Sequence, residues 1–492
     1  MTRNKILFFS LSLLFFNCAK VQEKEKPQRP NILFIAVDDL RPELGSYGNA
    51  IIKTPNIDKL AWEGVIFKNH FVQVPTCGAS RYSLITGMRP RNRKQLQNNI
   101  VELEISNQTK NEKRPESFIH HLKTNGYYTL GIGKITHSAD GLIYGYEEET
   151  SSKRELPYSW DELAFNSGKW RTGWNSFFAY ANGENRQSLK NLVTPYEMAE
   201  ADDEGYPDGL TANLAVAKLE ELNKKSQPFF MGLGFFKPHL PFNAPKKYWD
   251  LYDRDAIPVA LNQCIPENIN VKSLHNSNEF NRYRLSDEKV SLKQKASEAY
   301  AKKLKHGYYA SVSYIDHQIG KVLDELDALG LKENTIIILW GDHGWHLGEQ
   351  QVWGKHTLFE NALKSPLIMK VPQFKHLRGQ EINTLVETVD IYPSILELCN
   401  IDMPYKTDGN SFVNALKGEE NAQNNIAYSY FNNGISIRTD RYRLTKYYRE
   451  EAPVIELYDH VNDKLETINI AQDKPEIVNK LMPLLEKSGF SF

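Results

Sequence analysis

Four stretches of this chain carry residue types suited to handling an anion or a metal, and each lies directly after an apolar run. Asp38-Asp39 closes residues 32–37, Lys134 and His137 follow 127–132, Lys237 and His239 follow 229–236, and Asp342-His343 follows 336–340. Carboxylates brought together repel unless a cation neutralises them, and such hard oxygen donors suit calcium or magnesium. His343 is an unusual calcium ligand, so it binds weakly, orients a substrate or signals another metal. The oxygen count of Asp38, Asp39 and Asp342 favours one Ca2+. In a fifth stretch Cys77 opens a helical pattern with Arg81 one turn on. There the macrodipole and the arginine are expected to lower the thiol pKa. Singly, each feature has an ordinary reading: a turn or cap for Asp-Asp, a structural histidine, a rigid turn at Lys237-Pro238-His239, a buried cysteine. Their coincidence after successive strands carries the argument.

The elements that must position them are legible. Residues 32–37, bounded by Pro30-Asn31 and Asp38-Asp39, read as a strand covered on both faces. Ile57, Leu60 and Ala61 keep helical spacing up to Gly64, and Val312, Ile315, Ile319, Val322, Leu323 and Leu326 form the longest helical signal, closed by Gly330. Alternating strands and helices predict an α/β fold with a large, mostly parallel sheet flanked by helices. In such sheets ligands collect beyond the carboxyl ends of the strands. From about Ala427 short polar-aromatic runs predict a smaller antiparallel C-terminal subdomain, followed by a helix with Ile477, Leu481 and Leu484 on one face. Residues 139–210 and 255–295 are long, polar and weakly periodic, which predicts functional insertions or locally disordered loops.

With 60 Lys+Arg against 61 Asp+Glu, the net charge of −1 gives no argument for nucleic acid. Aromatics at 11% and hydrophobics at 41% exclude a disordered chain. Four cysteines in 492 residues are no disulfide framework, and pairing of Cys264 with Cys399 stays open. Arg3 and Lys5 precede an apolar run ending at Phe16, too short to span a bilayer. That pattern predicts export. Cys18 follows directly, in an arrangement resembling a bacterial lipoprotein signal, so a lipid anchor is the only membrane attachment expected and free secretion the alternative. The chain divides into an export signal (1–18), a polar tether (19–29), a catalytic domain (30–425) and a C-terminal subdomain (426–492).

Cys77-Gly-Ala-Ser-Arg81, continued by Leu84-Ile-Thr-Gly87 and Pro90, resembles the Cys-x-Pro/Ala-x-Arg signature of type I sulfatases. Asn31-Ile-Leu-Phe-Ile-Ala-Val-Asp-Asp39, Thr54-Pro-Asn-Ile-Asp58, Gly131-Ile-Gly-Lys134 with His137, Asp342-His-Gly344 with Gly348-Glu349, and Glu456-Leu-Tyr-Asp459 are similar to other stretches of that family. Lys237-Pro-His-Leu-Pro241, His343 and Trp353-Gly-Lys355-His356 look most like the iduronate-2-sulfatase branch. Ala79 stands where proline is commoner. The resemblance implies an alkaline-phosphatase-like sulfatase fold and oxidation of Cys77 to formylglycine by a maturing enzyme. It implies a hydrated formylglycine that attacks sulfur to give a covalent sulfo-enzyme. Metal ligation falls to Asp38, Asp39, Cys77, Asp342 and His343. Lys134 and Lys355 balance charge on the sulfate, His239 is the general acid, His137 the base that expels sulfate, and Arg81 holds the formylglycine oxygen and the helix start.

The substrate implied is a sulfated carbohydrate, with a 2-O-sulfated uronic acid or pentose first among ulvan, carrageenan and glycosaminoglycan fragments. Lys134, His239 and Lys355 would contact the sulfate. Trp160, Trp170, Arg171 and Trp174 are candidates for reading the sugar, with ordinary packing the equal alternative. Two further readings remain: a phosphonate or phosphate monoester hydrolase of the same superfamily, and an inactive glycan-binding lipoprotein.

Overall fold

The computed structural model describes residues 29–419 and 426–492. The proposed export signal, Cys18 and almost all of the tether lie outside the described residues. Among those described, no helix is long and apolar enough to cross a membrane.

Eight strands form the main sheet: β1 (Asn31–Val37), β2 (Val65–Phe67), β3 (Tyr128–Gly133), β4 (Glu162–Ala164), β5 (Phe229–Phe235), β6 (Thr335–Gly341), β7 (Leu367–Lys370) and β8 (Gln380–Ile382). Their spatial order is β8-β2-β7-β6-β1-β5-β3-β4. β1 pairs in parallel with β5 and β6, β5 with β3, and β3 with β4. Only β7 runs against its neighbours β6 and β2. The sheet is thus mostly parallel, as the alternation predicts, with one reversed strand.

Successive side chains of a strand point to opposite faces. Leu33, Ile35 and Val37 of β1 enter one core with α1 (Pro55–Glu63), α5 (Pro207–Leu222) and α6 (Glu298–Ala328). Ile32, Phe34 and Ala36 enter the other with α2 (Cys77–Thr86), α3 (Phe118–Thr124) and α7 (Ile391–Leu398). Helices therefore cover both faces, which is why β1 is buried at every residue.

Strands β9 (Ala427–Phe431), β10 (Gly434–Arg438), β11 (Tyr442–Tyr447) and β12 (Ile455–Asp459) form a small antiparallel sheet in sequence order. α8 (Pro475–Glu486) packs on it through Val478, Leu481 and Leu485. The buried face is therefore offset by one residue from the predicted Ile477–Leu481–Leu484 stripe, whose outer two members are only partly buried. Val74 and Ala79 join the same core, so the C-terminal sheet supports the start of α2.

Candidate active site

Cys77 is the first residue of α2, with Thr76 extended as N-cap. Gly78 is demanded by space, since a Cβ there would meet the Asn98 carbonyl at 2.0 Å. The helix start thereby sits close against its neighbour and presents Cys77 Sγ 3.2 Å from His343 Nε2 and 3.3 Å from Lys355 Nζ. The thiol does not behave as the sequence predicts. Burial, followed by the charge of Asp38, pushes its pKa well above the ordinary value, and Lys134 and Lys355 offset this only in part.

Arg81 offers the thiol no hydrogen bond to offset that burial. Its side chain is fully buried and engaged elsewhere: Nε donates to Asp342 Oδ2 at 3.0 Å, Nη2 to Asp38 Oδ1 at 3.1 Å, and Nη1 to the carbonyls of Lys134 and Ile135. None of these bonds goes to Cys77. Arg81 thereby ties the ends of β1, β3 and β6 together.

The strand-end groups converge. Lys134 Nζ donates to Asp38 Oδ2 at 2.7 Å, and Lys355 Nζ to Asp39 Oδ1 at 2.8 Å. The Asp39 N–H donates to Asp342 Oδ1 at 3.0 Å. Burial raises the Asp38 carboxyl, but Lys134, Asp342 and Arg81 together outweigh it and hold Asp38 well below the usual range. Asp39 is raised by burial, and Asp342 is pushed up to about 6 by burial and the Asp38 charge. Asp39 holds φ at +59°, a left-handed conformation that costs a non-glycine residue about 1 kcal/mol or more. Tyr308, from α6, donates its hydroxyl to the Asp39 carbonyl at 2.9 Å and helps to hold that conformation.

Three histidines face this cluster. His343 Nδ1 lies 2.9 Å from its neighbour's carbonyl at Gly344, which it meets as a donor, so Nε2 carries the lone pair. Burial and Lys355 bring His343 down to about 4, and that lone pair points at Cys77 and at Asp39 Oδ1, 3.4 Å away. His239 Nδ1 faces the Leu240 carbonyl at 2.7 Å, and its Nε2 faces Glu279 Oε1 at 3.1 Å. His137 is held well below its ordinary value by burial and Lys134, and its Nδ1 is buried without a partner. Lys237 is not a site residue: its Nζ donates to the His239 and Pro241 carbonyls at 2.9 and 2.6 Å, shaping the loop that carries His239.

Glu279 is the residue that sequence reasoning missed. Burial raises it, but Lys355 and then His239 outweigh that and hold it well below the carboxylate range. Its second oxygen lies 3.7 Å from Lys355 Nζ. Its only signal in the sequence is membership of the 255–295 insertion. Two of the tryptophans proposed to read a sugar are packing residues instead. Trp160 lies in the core against Phe230, and Trp170 is buried with its indole N–H on the Tyr180 carbonyl. Arg171 is exposed, and Trp174, on α4 (Gly173–Phe177), packs 5.4 Å from the His137 ring. Cys264 and Cys399 are free, one exposed and one buried, so they do not pair.

The residues fit a divalent cation. Asp38, Cys77, Asp342 and His343 each offer a ligand atom within 4.8 Å of the others, as do Asp38, Asp39, Cys77 and His239. Asp39 Oδ2 is buried without a hydrogen-bond partner, an orphan that a cation would satisfy.

Comparison with known proteins agrees with this geometry. A sulfatase family model matches residues 30–401, and a model of the C-terminal part of N-sulphoglucosamine sulphohydrolase matches 348–488. A sulfatase of Formosa agariphila is 31% identical, covering 97% of this chain and 91% of its own. Iduronate 2-sulfatase of Mus musculus is 30% identical, covering 80% of this chain and 73% of its own. In fold, the chain is similar to a structure solved with its substrate D-glucosamine-2-N,6-O-disulfate (TM-score 0.70, 21% identity, 94% and 97% of the two chains). It is equally similar to a phosphonate monoester hydrolase from Silicibacter pomeroyi (TM-score 0.71, 22% identity, 93% and 94%). The chain belongs to the sulfatase family, with its alkaline-phosphatase-like fold, and is a sulfuric ester hydrolase.

Proposed function

We propose that this enzyme hydrolyses sulfate esters of a sulfated polysaccharide or its oligosaccharides, with a 2-O-sulfated uronic acid or pentose as the first candidate. The observation that carries the reading is the balance of charge around Cys77. Asp38, Asp39 and Asp342 already face Arg81, Lys134 and Lys355, so one Ca2+ added to the carboxylates makes the pocket positive, as a sulfate ester requires. Asp38, Asp39, Asp342 and His343 would hold that ion beside Cys77. When bound it supplies Lewis-acid charge, and formylglycine made from Cys77 supplies a hydroxyl nucleophile. The raised thiol pKa supports dependence on that maturation, because an unmodified Cys77 rests as a poor nucleophile.

The remaining roles follow from the hydrogen bonds. Lys134 and Lys355 orient the sulfate oxygens. His239, turned by Glu279 and the Leu240 carbonyl, donates a proton to the leaving sugar oxygen. His137, neutral with an open nitrogen, accepts the proton that accompanies sulfate release. Glu279 also lines a cavity of about 380 Å³ with His275, His356, Phe431 and Arg449, room for further sugar. The relatives named iduronate 2-sulfatase and ulvan-active sulfatase support a glycan substrate. Export as a periplasmic or cell-surface lipoprotein, with a formylglycine-maturing enzyme as partner, belongs to the same reading.

The test is sulfate release by matured protein from ulvan, carrageenan and glycosaminoglycan oligosaccharides, beside phosphate and phosphonate monoesters. Sulfate release that disappears in Cys77→Ala is the expected result. Turnover of phosphonates alone, or glycan binding with no release, would overturn the reading.

A further inference from the structure

Arg186 lies in the 139–210 insertion and is only 4% exposed. Its guanidinium stacks 3.6 Å above the Phe178 ring and sits 5.6 Å from the Tyr283 ring. Those rings cover its flat faces and partly compensate the buried charge. Its edge is left open. Nε is buried with no hydrogen-bond partner, and among the described residues no carboxylate lies within ion-pairing distance. The Tyr283 phenol beside it is raised by burial, and Arg186 opposes that rise. The carboxylates of this neighbourhood are engaged elsewhere: Glu197 by the Ala181 N–H and the Tyr206 hydroxyl, Glu279 by His239 and Lys355. A buried, uncompensated charge is strongly unfavourable, and the other fully buried arginines, Arg81 and Arg443, are each paired with carboxylates.

The position is what gives this orphan a use. Phe178 lies 6.2 Å from the His239 ring and 5.7 Å from Tyr146, Tyr146 packs at 4.6 Å on Trp174, and Trp174 at 5.4 Å on His137. One aromatic wall thus runs from the proposed base to Arg186. Tyr146, 41% exposed, is its outer rim. Its phenol is raised by burial, and the charges of Lys134 and Arg186 oppose that rise.

We propose that Arg186 is the specificity residue that receives the carboxylate of a uronic acid carrying the sulfate ester, an inference that rests on the sulfatase reading above. A planar guanidinium with its faces stacked and its edge free matches a carboxylate in two parallel hydrogen bonds. A neutral sugar would leave it unpaired.

The experiment compares kcat/KM on a 2-O-sulfated uronide and on its carboxyl-reduced counterpart for wild type, Arg186→Gln and Arg186→Lys. Wild type is expected to favour the uronide by about 10- to 100-fold, the scale of one charge-assisted pair. The ratio should fall towards one in Arg186→Gln, whatever loss the two substrates share, and be partly restored in Arg186→Lys. A wild type that hydrolyses both equally, or an Arg186→Gln enzyme that keeps the preference, overturns the assignment while leaving the sulfatase reading intact. Should Arg186→Gln fail to fold, inhibition of wild-type aryl sulfate hydrolysis decides: glucuronate must inhibit at least about 10-fold better than glucose, and equal inhibition overturns the assignment. A matured enzyme that releases sulfate from nothing overturns both readings.

Discussion

Among the described residues, two clusters of acidic groups and histidine have spacing that could bind a metal, and they differ in how their charges are satisfied. In one, Glu360, His460 and Glu466 lie within ligand distance of each other. Arg443 donates to Glu466 at 2.7 Å and to Glu360, Arg438 donates to Glu360 at 3.1 Å, and His460 Nε2 lies 3.1 Å from Glu466. No side-chain atom of that cluster is left orphaned among the described residues. Around Cys77 the same residue types leave Asp39 Oδ2, His137 Nδ1 and Glu279 Oε2 buried without hydrogen-bond partners, beside a strained Asp39. One cluster is closed by its own arginines and clamps the C-terminal sheet to Glu360 of the main domain. The other is complete only with something bound. Residue type and spacing do not separate the two; unsatisfied buried atoms do.

The contrast can be broken in several ways. The largest effect is expected from Cys77→Ala, which should lower kcat for sulfate release by about 10⁴-fold or more with little change in melting temperature. Next, Arg443→Met removes the cation that Glu360 and Glu466 share, leaving them only Arg438 and His460, and should cost about 3 kcal/mol in a denaturant titration. Asp39→Asn should do the opposite, holding stability within about 1 kcal/mol while kcat drops at least about 100-fold. Equal destabilisation by both would erase the distinction.

Calcium and pH sharpen it further. The folded Asp342 keeps its proton up to about pH 6, whereas an unfolded aspartate releases it near 3.8. In metal-free protein this contribution to stability is present at low pH and is lost as pH rises through that window, by about 1.4 kcal/mol per unit. A cation needs the ionised form, so the rise in melting temperature on adding Ca2+ should be larger at pH 7 than at pH 5. The Arg443→Met protein should show the same calcium response. The smallest effect is Ser436→Ala, which removes the acceptor of a 3.3 Å bond from Arg443 and a 2.9 Å bond from Thr445 and should cost about 1–2 kcal/mol with kcat unchanged.

Much of this was legible in the chain because the informative groups stand at strand ends, where a parallel sheet gathers them regardless of distant detail. Asp38, Lys134, His239 and Asp342 come together for that reason. What was not legible depends on burial and on loops. The Cys77 thiol reads as activated beside Arg81 until the fold shows that arginine committed to Asp38 and Asp342. Glu279 and Arg186 sit in weakly periodic insertions whose path is set by long-range packing, and the tryptophans there are distinguished as core or wall only by what packs on them. The one-residue offset in α8 has the same origin, since packing against the small sheet decides which side chains are buried.

The most direct test of the central claim is mass spectrometry on the peptide carrying Cys77, taken from protein made in a host with formylglycine-maturing activity. Conversion of the thiol to the aldehyde lowers the residue mass by about 18 Da, and that shift, in protein that releases sulfate, is the predicted result. A Cys77 that remains a thiol where other Cys-x-Ala-x-Arg proteins are matured would contradict the account.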